Sequence, residues 1–535
     1  MGTVNSRGPA PATIATILEP ALAARPGAPA VIAAAGTWSY TELDAQADRA
    51  AGALWALGVR PGDRVAACLP NDLPIVAAFH GAQRIGAVWA GIGEASGAGE
   101  QQALCDLIEP TVVLAGPRFD ASTPTAIDPQ HWARLLADAA AAPRVDTDPE
   151  APAGIGFTSG TSGHPKAVVH SQRGMLLPGA VTVATRGWGP DLRRGDSFAM
   201  TILNMMVLST LTTAQAGGCA VVMDRRDADG VAEWIAAHRV TVWNGAPAQI
   251  YDLARSSADL GSLREVWSGG SDTPDTLRTA FADAHGVVPR ATYGLSEAPT
   301  VISIDPPGSQ WWPGTSGQVL PQFDVAAYND AGHRLPAGEP GELRVGPAES
   351  GAWAGRWSPM LGYWSDGGVR APDPGPLPTG DIGTVDDAGR LRVIDRKKLV
   401  IIRGGANVYP LEVERVIARH PDVAAVGVCA IPDDRLGQRV AAVVVSTGAT
   451  LDFDALDRSC REELAGYKVP ESWTRVDSLP TNAMGKLQRT GLTDLVTGRR
   501  NDDRTSPAAA APASGAHDSG RSTDPGRSPD DKDLE

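Results

Sequence analysis

Cysteine is scarce and scattered in this chain of 535 residues: Cys68, Cys105, Cys219, Cys429 and Cys460 include no C-x-x-C pair. The expectation is reduced thiols in or near a core rather than a disulfide framework. Positive charge is short as well, with 47 Lys and Arg against 62 Asp and Glu, for a net charge of -15. Such a chain should not track a nucleic-acid backbone, although a few local positive groups suffice to bind a small anion. No run approaches the apolar length of a membrane span, and the opening residues lack a charged-then-apolar signal pattern. Met1-Gly2-Thr3-Val4-Asn5-Ser6 fits a myristoylation pattern, but it is short and no polybasic patch follows it. The expectation is a cytoplasmic protein without a membrane partner. H-E-x-x-H, G-x-S-x-G, clustered Cys/His and internal repeats are all missing. Metal-hydrolase, serine-hydrolase and zinc chemistry are therefore unsupported.

What is present suits a large core: 43% hydrophobic residues, 20% charged, and a length beyond one ordinary domain. Apolar strands alternate with amphipathic helices, which predicts α/β layers. Ser39-Tyr40-Thr41-Glu42 reads as a capping box, Leu43, Ala47, Ala50, Leu54 and Leu57 follow at helical spacing, and Gly58 supplies a stop. Arg64 to Leu69 reads as a short buried strand. Pro143 to Gly154 is apolar-poor and reads as a surface connection. From about Asp395 a second unit begins, with a helix around Leu411 to Arg419 and strands at Asp422 to Val428 and Arg439 to Val445. From about Thr497 large apolar residues vanish, which predicts a disordered tail. The domains are thus residues 1–394, 395–496 and a tail of 497–535.

The most informative stretch is Phe157-Thr158-Ser159-Gly160-Thr161-Ser162-Gly163-His164-Pro165-Lys166. Glycines let backbone N–H groups approach an anion, hydroxyls add donors, and the lysine adds a point charge. Alone, the run could be a Ser/Gly surface loop. A P-loop fails on spacing, with Pro165 where the second glycine belongs, and a dinucleotide fingerprint from Gly154 has Ser159 in place of its third glycine.

Ser159 through Lys166 resemble the S-G-T-[ST]-G-x-P-K-G loop of the adenylate-forming superfamily, which comprises acyl- and aryl-CoA synthetases, adenylation domains and beetle luciferases. Ala167 replaces the final glycine. The family's other motifs follow in order. Ser268-Gly269-Gly270-Ser271 resembles the turn beside the adenine. Tyr293-Gly294-Leu295-Ser296-Glu297 resembles Y-G-x-[ST]-E, which implies a tyrosine on the adenine, a hydroxyl at the α-phosphate and Glu297 as a ligand of Mg2+. Gly341-Glu342-Leu343 matches a motif of no clear chemical role. Thr379-Gly380-Asp381 implies an aspartate on the ribose hydroxyls. Asp395-Arg396-Lys397-Lys398 resembles the hinge, with Arg396 toward ribose and Leu399 where a charged pivot is usual. Gly404-Gly405 would line the CoA tunnel. Leu479-Pro480-Thr481-Asn482-Ala483-Met484-Gly485-Lys486 resembles the loop whose lysine serves adenylation.

The resemblance implies an α/β fold, with a large N-terminal domain of layered subdomains and a smaller, mobile C-terminal α+β domain. It implies ATP-dependent activation of a carboxylic acid, then transfer to the thiol of CoA. Thr158, Ser159, Gly160, Thr161, Ser162, Gly163, Lys166, Gly269, Gly270, Ser271, Tyr293, Gly294, Asp381 and Arg396 would hold ATP, and Lys486, Glu297 and Ser296 would act at the reacting phosphate. Asn204, Gly269 and Leu295 would face the acid. Many members carry an aromatic-His pair in this stretch; Asn204 in its place resembles the aryl-acid branch, where an asparagine recognises a group ortho to the carboxylate. It could equally bond a neighbouring backbone carbonyl. Met205 and Met206 suit an adaptable apolar wall or plain core. His170 receives no catalytic role. Other readings stay open: a separate carrier protein as acceptor, nitrite as the activated oxyanion, or a non-catalytic nucleotide binder.

Overall fold

The computed structural model describes residues 13–159, 165–269, 273–309, 311–448, 450–481 and 487–498. Among the described residues the strands form two eight-stranded sheets, one of four strands and one of five.

The first large sheet is parallel through Pro29–Ala33, Cys219–Val222, Arg193–Asp196, Val242–Gly245, Glu265–Ser268 and Pro289–Leu295, with antiparallel edges at Gly36–Ser39 and Ala298–Ile304. In the second, Arg64–Cys68 lies between Val88–Gly91 and Val112–Ala115. Val65, Ala66, Ala67 and Cys68 are consequently all buried, as expected of a strand with helices over both faces. The same sheet continues through Pro152–Ser159, Pro165–Ser171 and Gly362–Ser365. The Pro143–Gly154 connection alternates exposed and half-buried residues as far as Glu150, and from Pro152 it has already become a strand. Proline is tolerated there because the first residue of a strand need not donate to the ladder.

The capping box is formed: the Ser39 N–H donates to Glu42 Oε2 at 2.7 Å and the Glu42 N–H to Ser39 Oγ at 3.2 Å. The helix Tyr40–Ala56 buries Leu43, Ala47, Ala50 and Leu54. It crosses the helix Leu73–Arg84 so closely that a Cβ on Gly81 would lie 2.6 Å from that of Ala50.

The four-stranded antiparallel sheet ends in Leu391–Arg396, so Asp395 and Arg396 still belong to the large body. Beyond it, Ile401, Val408, Val413, Val428, Val440, Val444 and Leu456 share a separate core. The helix here is Pro410–Ile417, and the strands Val423–Asp433 and Gly437–Ser446 are each longer than their apolar runs suggest. The helix Arg489–Thr497 closes on Gly498 at φ 68°, so folded structure reaches past the composition break at Thr497. The rest of the expected tail, 499–535, lies outside the described residues. All five cysteines are free and buried. Among the described residues no helix is long and apolar enough to cross a membrane.

Candidate active site

Two antiparallel strands present the phosphate-loop residues, with Thr158 paired to Lys166 and Ser159 to Pro165. The tip between them, Gly160, Thr161, Ser162 and Gly163 included, lies outside the described residues, as do Gly270, Ser271 and Lys486. Side chains alternate along a strand, so Lys166, Val168 and His170 share one face. Tyr363 pairs with Val168 from the neighbouring strand. This makes Lys166 its diagonal neighbour, within reach of a long side chain. Lys166 Nζ lies 4.8 Å from the Tyr363 ring centroid.

That face meets a hairpin of the other large sheet. Its strands, Pro289–Leu295 and Ala298–Ile304, are joined by Ser296 and Glu297, with a register shift between Tyr293 and Leu295. Gly294 sits in the shift, where a Cβ would fall 1.7 Å from the Thr300 carbonyl oxygen, so no other residue fits. The turn is held from two sides. Tyr363 donates its O–H to Glu297 Oε1 at 3.1 Å, and His170 Nε2 lies 2.6 Å from the Ser296 carbonyl oxygen. A carbonyl only accepts, which places the proton on Nε2. Burial is the main cause that lowers the His170 imidazole to about 4, so the ring is neutral at pH 7.

Tyr293 donates from its hydroxyl to Asp381 Oδ2 at 2.6 Å, and Arg396 Nε lies 2.6 Å from Asp381 Oδ1. Asp381 belongs to the strand Leu377–Val385, directly opposite Arg396 in the register. Gly380 at φ 71° permits the kink, and the Asp381 N–H donates to Thr379 Oγ1 at 3.0 Å. Thr379–Asp381 is thus a distorted strand rather than a free turn. Burial, then the Asp381 charge, raises the Tyr293 phenol well above its ordinary value, so it stays a donor. Next in the chain, the buried Asp395 accepts from the Arg396 N–H at 2.7 Å and the Leu411 N–H at 2.6 Å. One carboxylate thereby ties the end of the large body to the first turn of the helix Pro410–Ile417.

Gly269 follows the strand Glu265–Ser268 and Leu295 ends Pro289–Leu295, so both lie at the carboxyl ends of parallel strands, where α/β sheets bind ligands. A Cβ on Gly269 would meet Thr292 Oγ1 at 2.4 Å. Asn204 is half-buried on the helical turn Leu203–Met205, and among the described residues it has no hydrogen-bond partner, so the bond to a backbone carbonyl is not made. The turn runs into a π-helix, Met206–Leu211, a form concentrated at functional sites. Beneath it Ser209 Oγ donates to Asp196 Oδ2 at 2.5 Å, and Arg194 Nε lies 3.2 Å from the same oxygen. Gly404 at φ 58° and Gly405 at φ 85° form the two-residue turn between Ile401–Arg403 and Ala406–Val408.

Among the described residues no cluster of His, Cys, Asp and Glu could hold a metal unaided. Glu297 alone fits Mg2+ only in the manner usual for that ion, one carboxylate with phosphates and water completing the shell. Sequence reasoning missed Tyr363, which no local pattern marks, and gave His170 no part although it orders the turn that carries Glu297.

The arrangement brings a lysine, a carboxylate and a paired tyrosine–aspartate–arginine together from three sheets, a cradle for a charged nucleotide. A family model described as AMP-binding enzyme matches residues 18–364, and one for the AMP-binding enzyme C-terminal domain matches 412–486. A feruloyl-CoA synthase of Amycolatopsis sp is 33% identical over 84% of this chain and 92% of its own length. An indoleacetate--CoA ligase of Aromatoleum aromaticum is 31% identical, covering 86% and 93%. ATP-bound MatB from Rhodopseudomonas palustris superposes with a TM-score of 0.80 at 26% identity, covering 90% of this chain and 98% of that one. The chain belongs to the AMP-binding enzyme family, the adenylate-forming enzymes, as an AMP-forming acid–thiol ligase of the acyl- and aryl-CoA ligase kind.

Proposed function

We propose that the chain activates an aryl or medium-sized apolar carboxylic acid with Mg-ATP in the cytoplasm and passes the acyl group to CoA. The observation that carries the choice of acid is Asn204, half-buried among apolar residues and without a partner among the described residues. A half-buried amide on an apolar wall can exchange water for a polar group beside the carboxylate of a bound acid. The aromatic acids in the names of the feruloyl and indoleacetate relatives support the same class.

In the first half-reaction a carboxylate oxygen attacks the α-phosphorus and pyrophosphate leaves. Asp381 accepts from the ribose hydroxyls, Tyr293 lies along the adenine, and Lys166 meets the phosphates. The phosphate-loop residues Thr158, Ser159, Gly160, Thr161, Ser162 and Gly163 add donors, Gly269, Gly270 and Ser271 border the base, and Ser296 reaches the α-phosphate. Mg2+, when bound, draws charge from the phosphate oxygens, and Glu297 is the side chain that would hold it. Lys486 stabilises the charge that grows on the reacting oxygens. In the second half-reaction the CoA thiolate attacks the acyl carbon and AMP leaves, with the Gly404-Gly405 turn beside the pantetheine arm. The unit beyond Asp395 moves between the two steps.

The test is pyrophosphate release across a panel of aryl, short and medium aliphatic acids, with and without CoA. Release with aryl acids and a matching CoA thioester is the expected result. Release without thioester would shift the acceptor to a carrier-protein thiol, and silence on aryl and medium apolar acids would overturn the choice of acid.

A further inference from the structure

Lys166 and Glu297 carry opposite charges and both reach Tyr363, yet among the described residues neither enters an ion pair. Opposite charges gathered at one side chain readily pair, and a carboxylate held by a lysine is lost to a cation, as the lysine is lost to a phosphate. Tyr363 meets each with a different part of itself. Its hydroxyl donates to Glu297 Oε1 at 3.1 Å, and its ring face receives Lys166 Nζ at 4.8 Å from the centroid. Neither contact is ionic, so each holds its partner in place and leaves that partner's charge free for a ligand. The tyrosine itself is fixed: its strand Gly362–Ser365 is paired with the phosphate-loop strand, and Gly362 at φ 148° approaches the Arg370 carbonyl too closely for a side chain.

We propose that Tyr363 is a positioning residue of the phosphate site, its phenol holding Glu297 and Lys166 apart and presenting one to a divalent cation and the other to the triphosphate. The proposal rests on the nucleotide reading above. It makes the hydroxyl serve the metal-dependent part of binding and the ring serve the phosphate-dependent part.

The two parts separate by calorimetry on the full chain. α,β-Methylene-ATP, which cannot be cleaved at the reacting bond, is titrated into the wild type, Tyr363→Phe and Tyr363→Leu, once with Mg2+ and once with EDTA, and AMP is titrated as a control. Tyr363→Phe should weaken binding roughly ten-fold with Mg2+, the loss of one hydrogen bond to a charged group, and stay within about two-fold in EDTA and for AMP. Tyr363→Leu should weaken the triphosphate in both arms and spare AMP. A Phe variant that binds like the wild type with Mg2+ would overturn the proposal. So would equal losses in every arm including AMP, which would mark a packing role. A wild type that binds none of these ligands would overturn the nucleotide reading itself. Should the Leu variant fail to fold, the Phe variant alone decides.

Discussion

His170 shows how much one buried side chain arranges. It touches no substrate atom in the proposed mechanism, but its Nε2–H ends on the carbonyl of Ser296, next to Glu297. His170→Phe keeps an aromatic ring and strips that donor from a carbonyl, at a cost of about 1–3 kcal/mol for the unsatisfied group. The expected outcome is a several-fold rise in KM for ATP, with KM for the acid unchanged; steady-state kinetics varying one substrate at a time checks it. Asp381→Asn removes the negative charge that faces Arg396 and, in the proposed reading, one ribose acceptor. A ten-fold or greater loss of affinity for AMP, read by calorimetry, is expected, and unchanged AMP binding would take Asp381 out of the nucleotide site.

At the scale of elements, the described residues on either side of 482–486 bond to one another. Thr481 bridges Leu487, and the Gln488 N–H donates to the Pro480 carbonyl at 2.8 Å. Arg489 then forms a double contact with the Glu414 carboxylate and donates to the Val428 carbonyl at 2.7 Å. Lys486→Ala should lower pyrophosphate–ATP exchange by roughly 10²–10³-fold, the usual cost of removing one charge-stabilising donor, and preserve thioester formation from a supplied acyl-adenylate. Loss of both half-reactions would contradict a role confined to adenylation. The elements themselves were legible where the signal is local. The capping box at Ser39 and the buried strand at Arg64 each come from a contiguous pattern, and each stands where that pattern places it. Tyr363 was not legible, because its meaning comes from a glutamate 66 residues away. Nor was the role of His170, whose partner is 126 residues distant. The π-helix at Met206 also escaped, since an apolar run fits α and π turns alike.

For the whole molecule, acid should matter through buried histidines. Burial, and then the nearby Arg84 charge, holds the His80 imidazole down at about 3, against an ordinary 6.5. The folded chain keeps this ring neutral where the unfolded chain would protonate it, so stability is full above pH 6.5 and falls as the pH drops through the window toward 3. The slope is about 1.4 kcal/mol per pH unit for one such group. His80→Leu removes it, so the stability of the variant relative to the wild type should rise by that slope between pH 6 and pH 5, measured by thermal unfolding. A difference that does not change with pH would refute the assignment. The division into a large body and a smaller C-terminal unit was readable from composition and motif order, since each part buries its own apolar set. The placement of Asp395 and Arg396 was not, because strand pairing with Asp381 and Ile382 is a property of the folded sheet.

The contact between Asp381 and Arg396 has a thermodynamic side. In the proposed reading a ribose arrives at a carboxylate already occupied by a guanidinium of the same chain and a phenol from Tyr293. The chain is in that sense its own competing ligand, and any nucleotide affinity measured for it is the excess over an internal association. Because Arg396 lies where the large body ends, displacing it frees the segment that leads into the smaller unit, so occupancy of the sugar pocket and freedom of the joint draw on one equilibrium.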